Sequence, residues 1–175
     1  MFHKVLVALD QSQNSKKVFE AAITLAKATG CSLMLLHVLS IEEEVAPQMP
    51  TFTSMQYYPI GGKLFESYQE HWKTYEKQGL ELLRSYTDKA TSAGVKAEFT
   101  QNSGNPGRTI CEIARTSESD LIVMGRRGYS GFNELLLGSV SNYVLHHAPC
   151  SVLTVQGAID ADSAVAQDQQ VAVAL

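Results

Sequence analysis

Cysteine is scarce in this chain: three residues, Cys31, Cys111 and Cys150, among 175. The number is odd, the spacing is wide and no CxxC occurs, which argues against a disulfide framework or a cysteine zinc site. Each cysteine lies among apolar neighbours and reads as a small buried hydrophobe. Long hydrophobic runs are missing too; none approaches the ~18–20 residues that span a bilayer. The opening MFHKVLVALD reads as a strand and not a signal peptide, because its apolar run is short and ends in an acid. A bacterial-type cytoplasm is the expected location. An excess of positive charge is also absent. The net charge of −4 argues against a general nucleic-acid binder. Neither GxxxxGK[ST] nor GxGxxG occurs, so the P-loop and the dinucleotide fingerprint are both missing. There is no SGGxDS loop and no HIGH-type signature. What remains is a chain of one-domain length with 45% hydrophobic residues, which fits a globular core and neither a disordered chain nor a fibre.

Hydrophobic patterning predicts alternating strands and helices. Lys4 to Leu9 is a short apolar run ending at Asp10, a first strand. Ser12 or Asn14 is placed to cap the helix that follows, with Val18, Ala21, Ala22, Leu25 and Thr29 on one face and Gly30 ending it. Ser32 to Leu39 is almost continuously apolar, as a parallel strand buried on both faces would be. The stretch 41–62 holds Pro47, Pro50, Pro59, Gly61 and Gly62 among Met and Tyr residues. It exceeds the usual βα connection and reads either as a lid or partner surface or as an insertion without a role. Tyr68, Trp72, Tyr75, Gly79, Leu82, Leu83 and Tyr86 then step by three and four along a long amphipathic helix, whose aromatics read as core. Val95 to Gln101 suggests a third strand, and Asn105-Pro106 an N-cap with Pro at the first helical position. Leu121 to Met124 is a fourth strand. Leu136, Val140, Val144 and His147 mark another helix, stopped by Pro149, and Ser151 to Val155 is a fifth strand. Strands alternating with helices predict a parallel α/β sheet with right-handed crossovers. The tail 157–175, rich in Ala, Asp and Gln, is expected to be mobile.

The segment from Gly125 to Ser139, GRRGYSGFNELLLGS, carries the functional signal. Gly125 and Gly128 follow the fourth strand, and Gly138, Ser139 and Ser141 lie at the next helix. Glycines past a strand allow positive φ and let amides converge on one anion. Arg126 and Arg127 add guanidinium forks suited to phosphate. In open parallel sheets, ligands sit beyond the carboxyl ends of the strands where strand order reverses. Asp10 and Gly125 stand at two such ends.

The spacing glycine, two residues, glycine, nine residues, glycine, serine resembles the ATP-binding branch of the universal stress protein family. So do VLVALDQS, ATGCSLMLLHV and HHAPCSVLTV, and the resemblance covers roughly residues 2–156. It implies an α/β, Rossmann-like fold: an open five-stranded parallel sheet of order 3-2-1-4-5 with helices on both faces. It implies one nucleotide-binding domain over 1–156 with an insertion at 41–62. The ligand would be ATP or AMP, with Mg²⁺ near Asp10. By position, Ala8 and Asp10 would lie near adenine and ribose, and the Val38 backbone would hydrogen-bond adenine. Met124, Gly125, Arg127 and Gly128 would line ribose and phosphates, and Gly138, Ser139, Val140 and Ser141 the phosphate chain. The two copies of a homodimer would pair through strand 151–155. Two features depart from the family pattern. Arg127 stands where relatives often carry His, and the 41–62 insertion is longer than in many members.

Simpler roles stand beside these. Asp10 could cap the first helix, and Ser139 and Ser141 could be solvated hydroxyls. His37 reads as a packed strand-end residue and not a base. His146 and His147 suit a helix C-terminus. The expected function is a dimeric regulator or sensor of stress adaptation that binds ATP or AMP with at most slow hydrolysis, since Asp10 is the one acid legible near the site. The alternative is a weak ATPase or autokinase phosphorylating Ser139 or Ser141. A third reading, a partner-binding scaffold with an empty pocket, is disfavoured by the glycines.

Overall fold

The computed structural model describes residues 1–43, 45–48, 61–126 and 138–156. Five strands, β1 (Lys4–Leu9), β2 (Ser32–Leu39), β3 (Ala97–Ser103), β4 (Leu121–Arg126) and β5 (Ser151–Gln156), alternate with four helices among these residues. The helices are α1 (Asn14–Thr29), α2 (Gly61–Ser92), α3 (Pro106–Thr116) and α4 (Ser139–His147). The strands form one parallel sheet in the order β3-β2-β1-β4-β5, as the resemblance implies.

Strand alternation divides the core in two. Val5, Val7 and Leu9 of β1 point to one face, where Val18, Phe19, Ala22 and Ala26 of α1 and Leu83 and Ala90 of α2 cover them. Leu6 points to the other face, packed with Ile122 and Met124 of β4, Ile110 and Ala114 of α3 and Val144 of α4. Val5, Leu6, Val7, Leu33, Leu35 and Leu36 are fully buried, so β1 and β2 are apolar on both sides because both sides are covered.

Three local expectations are adjusted. The N-cap of α1 is Gln13, without a side-chain cap, so neither Ser12 nor Asn14 plays that part. The buried stripe of α1 centres on Phe19 and Ala26, while Ala21, Leu25 and Thr29 flank it. Strand β3 starts at Ala97 and not Val95, since the Val95 amide still bonds Ala90 O in the turn closing α2. Gly30 (φ 75°) and Gly94 (φ 79°) end α1 and follow α2 in the left-handed conformation that favours glycine. Asn105 caps α3 as expected, accepting from Arg108 N at 3.2 Å with Pro106 in the first turn. The three cysteines are free; Cys31 and Cys111 are buried and Cys150 is half-buried. Arg127, Gly128, Leu136, the 157–175 tail and most of the 41–62 insertion lie outside the described residues.

Candidate functional site

The order of the sheet reverses between β1 and β4. From these neighbours the chain leaves to opposite faces, to α1 after β1 and to α4 after β4, and a crevice opens between. A cavity of about 520 Å³ fills it, within the range of roughly 300–1,000 Å³ usual for small-molecule sites. Ala8 and Asp10 line it from β1, Val38 from β2, Met124 and Gly125 from β4, and Gly138, Ser139, Val140 and Ser141 from the start of α4. Every described residue that the family resemblance assigns to the ligand therefore borders one space, while Arg126, the described cation of the glycine segment, is not among its lining residues. Leu36, Ile110 and Val18 supply apolar wall, and Ser12, Asn14 and Ser15 add polar groups beside Asp10.

Asp10 organises its own loop. Its Oδ1 accepts from Ser12 N (3.1 Å), from the Ser12 hydroxyl and from Ser15 Oγ (2.8 Å), an Asx turn closed by a second serine. Ser15 Oγ in turn accepts from Asp10 N at 2.9 Å. Asp10 thus both lines the cavity and braces the entry to α1.

The two described glycines of the motif work differently from the expectation. Gly125 lies within β4, and positive φ is found among described glycines only at Gly30, Gly94 and Gly104. Its small size answers a packing need, since a Cβ there would stand 2.7 Å from Asn14 Nδ2 and 3.3 Å from Val18 Cγ2. Gly138 is extended (φ −56°, ψ 155°) and is the N-cap of α4, with no side chain capping the first turn. The leading amides of α4 consequently start at the cavity wall, the geometry in which a helix favours an anion. Ser139 is exposed. Ser141 is buried, not a solvated hydroxyl, and donates to Gly125 O at 3.3 Å, tying α4 to β4.

Sequence reading missed two acids. Glu42 and Glu43, the first carboxylates after β2, also line the cavity. Glu42 Oε1 accepts from Asn105 Nδ2 at 3.2 Å. Glu43 is buried; it accepts from Gln11 N (2.7 Å) and from the Tyr75 hydroxyl, and lies 3.3 Å from His37 Nε2. Burial alone would raise its pKa, but the bonds from His37, Tyr75 and the Gln11 backbone outweigh it and hold the carboxyl below its ordinary value. The Tyr75 hydroxyl is pushed well above the ordinary tyrosine range by burial and by its bond to Glu43. His37 is fully buried, as expected of a packed strand-end residue, yet its partners are polar. Asn14, read only as a cap, presents a buried Oδ1 that takes no hydrogen bond from a described residue. A signal for Glu43 was available only in hindsight, as an acid just past a strand end.

Among the described residues no group of three or more His, Cys, Asp or Glu could hold a metal ion.

An open, doubly wound parallel sheet with a mixed apolar and polar cleft at its switch point is the class that fold and site define. The universal stress protein family model matches residues 1–156, and the chain belongs to that family. It is 36% identical over 155 residues to the universal stress protein Sll1388 of Synechocystis, covering 89% of this chain and 98% of that one. It is likewise 36% identical over 161 residues to YxiE of Bacillus subtilis, covering 89% and 100%. Among solved structures it resembles a universal stress protein in complex with cAMP (TM-score 0.60, 22% identity, 90% and 98% covered). It also resembles an Arabidopsis thaliana family member with AMP bound (TM-score 0.56, 22% identity, 93% and 99% covered). These structural likenesses support the fold.

Proposed function

We propose that this chain binds an adenine nucleotide, AMP or ATP, in the cavity between the ends of β1 and β4. The observation that carries the reading is convergence. Asp10, Gly125 and the uncapped start of α4 at Gly138 and Ser139 meet around one cavity of nucleotide size at the switch point of the sheet. Nucleotides bound by structural neighbours, cAMP in one and AMP in another, support the choice of ligand class. In this reading the Val38 backbone meets adenine, and Ala8, Asp10 and Met124 flank base and ribose. Gly125, Arg127, Gly128, Gly138, Ser139, Val140 and Ser141 hold the phosphates. With ATP, Asp10 would be the residue placed to meet a phosphate-bound Mg²⁺, which would offset phosphate charge.

The role is that of a regulator or sensor in stress adaptation, acting in the cytoplasm as a homodimer paired along 151–155, with at most slow hydrolysis. Fast phosphoryl transfer needs a positioned water and a free group to orient it. The cavity acids are committed elsewhere: Glu42 to Asn105, Glu43 to Gln11 and Tyr75, and Asp10 to Ser12 and Ser15. An autokinase reading is favoured by one detail only, the exposed Ser139 hydroxyl at the cavity edge; Ser141 is buried. The test is to denature the purified protein and identify the released nucleotide by chromatography. AMP or ATP supports the proposal. A preparation that carries none, and takes up none when supplied, refutes it.

A further inference from the structure

Three consecutive amides of the β1–α1 loop are each received by a side chain. Asp10 N bonds Ser15 Oγ at 2.9 Å and Ser12 N bonds Asp10 Oδ1 at 3.1 Å, both within the loop. Gln11 N bonds Glu43 Oε1 at 2.7 Å, and Glu43 comes from the far side of the cavity, after β2. The Gln11 N–H and the Asp10 carbonyl belong to one planar peptide unit, so whatever fixes the first orients the second.

Glu43 is itself held firmly. Its Oε2 accepts from the Tyr75 hydroxyl of α2 and faces His37 Nε2 of β2 at 3.3 Å. The imidazole is oriented in its turn. Gln101 Nε2 lies 3.2 Å from the carbonyl of Glu76, a contact only the amide NH₂ can make. The same NH₂ therefore donates to His37 Nδ1 at 2.9 Å, which leaves Nε2 as the nitrogen bearing hydrogen toward Glu43. Gln11 closes the ring by donating its side-chain amide to Tyr75 O at 3.3 Å. Strands β2 and β3 and helix α2 thus converge on one carboxylate, whose second oxygen reaches the loop that carries Asp10.

We propose that Glu43 is a positioning residue of the nucleotide site: anchored by Tyr75 and His37, it holds the Gln11 amide and so sets Asp10 against the ligand. The inference rests on the adenine-nucleotide reading above and goes beyond it in assigning a role to a residue outside the glycine motif. Glu43 borders the cavity but acts through the loop, since its carboxyl oxygens are taken by Gln11, Tyr75 and His37.

The test compares AMP affinity by titration calorimetry with backbone amide exchange at Gln11 by NMR. Glu43→Ala should weaken AMP by about tenfold, the scale of one lost charge-assisted hydrogen bond, and expose the Gln11 amide to exchange. Glu43→Gln keeps an oxygen for Gln11 N but turns its NH₂ toward the His37 Nε2 hydrogen, so its AMP affinity should fall between wild type and Glu43→Ala, with Gln11 still protected. In an Asp10→Ala background, Glu43→Ala should cost nothing further. Wild-type AMP affinity in Glu43→Ala, or a Glu43→Gln loss equal to that of Glu43→Ala, overturns the proposal. If Glu43→Ala does not fold, Tyr75→Phe decides. Faster Gln11 exchange with weaker AMP binding supports the role, and both unchanged overturn it. A wild-type chain that takes no adenine nucleotide refutes the binding reading instead, so the two failures are distinct.

Discussion

At Gly79, in the middle of α2, a Cβ would collide first with the Gln101 side-chain amide and lie 2.5 Å from His37 Nδ1. Alanine in a helix interior is ordinarily better than glycine by about 1 kcal/mol. Here the overpacking cost, roughly 1–3 kcal/mol, works against that gain and falls on a buried hydrogen-bonded ring. Gly79→Ala should therefore destabilise the fold, with a lower urea midpoint at unchanged m-value. Gly125→Ala places its methyl against Asn14 and Val18 and should cost a similar ~1–3 kcal/mol, read in the same way. The two sites differ in legibility. Gly125 stood out because it opens a spaced glycine motif. Gly79 sat in an amphipathic stripe, where nothing in the sequence says that an imidazole from β2 occupies the space. Tyr75 reads as core for the same reason; it is core, but its hydroxyl meets a carboxylate 32 residues away, which no local pattern encodes.

The elements themselves were legible because each carries its own signal. Continuous apolar runs gave β1, β2 and β4, and the Asn105-Pro106 pair gave the start of α3. Boundaries slipped where backbone bonds decide them, as at Val95, and where a cap was assigned by residue type alone, as at Ser12 and Asn14. The edge strand β5 carries the clearest prediction at this scale. It pairs only with β4 among the described strands, and Leu153 is 41% exposed on it. An open edge with an exposed apolar side chain invites pairing. Light scattering at micromolar concentration should give the mass of two chains, and Leu153→Asp should shift it toward one. A wild-type monomer would contradict the dimer.

Over the whole molecule, two carboxyls join distant parts of the chain. Glu43 bridges loops and helix at the cavity end of the sheet, and Asp120, ahead of β4, receives His3 N at 2.7 Å at the opposite end. Burial works to raise the Asp120 pKa, but its bonds from His3 and Lys4 prevail, and both carboxyls are held below their ordinary values. The unfolded chain thus binds more protons at these groups than the folded one in the acid range. Their contribution is complete above the ordinary carboxyl values, 4.5 for Glu43 and 3.8 for Asp120, and is lost as pH falls through the lower folded values. Circular dichroism should show stability falling on acidification below about pH 4.5, and Glu43→Gln should flatten that limb.

The cavity was legible to the extent that its walls are strand ends and a glycine motif. The long-range acids that brace it were not, because their partners come from elsewhere in the chain. The central claim is that this cavity takes an adenine nucleotide, and titration calorimetry of the wild-type chain with AMP and ATP tests it most directly. Saturable binding of one nucleotide per chain, weakened by Gly125→Ala, is the predicted result. No binding of either nucleotide by folded protein would contradict it.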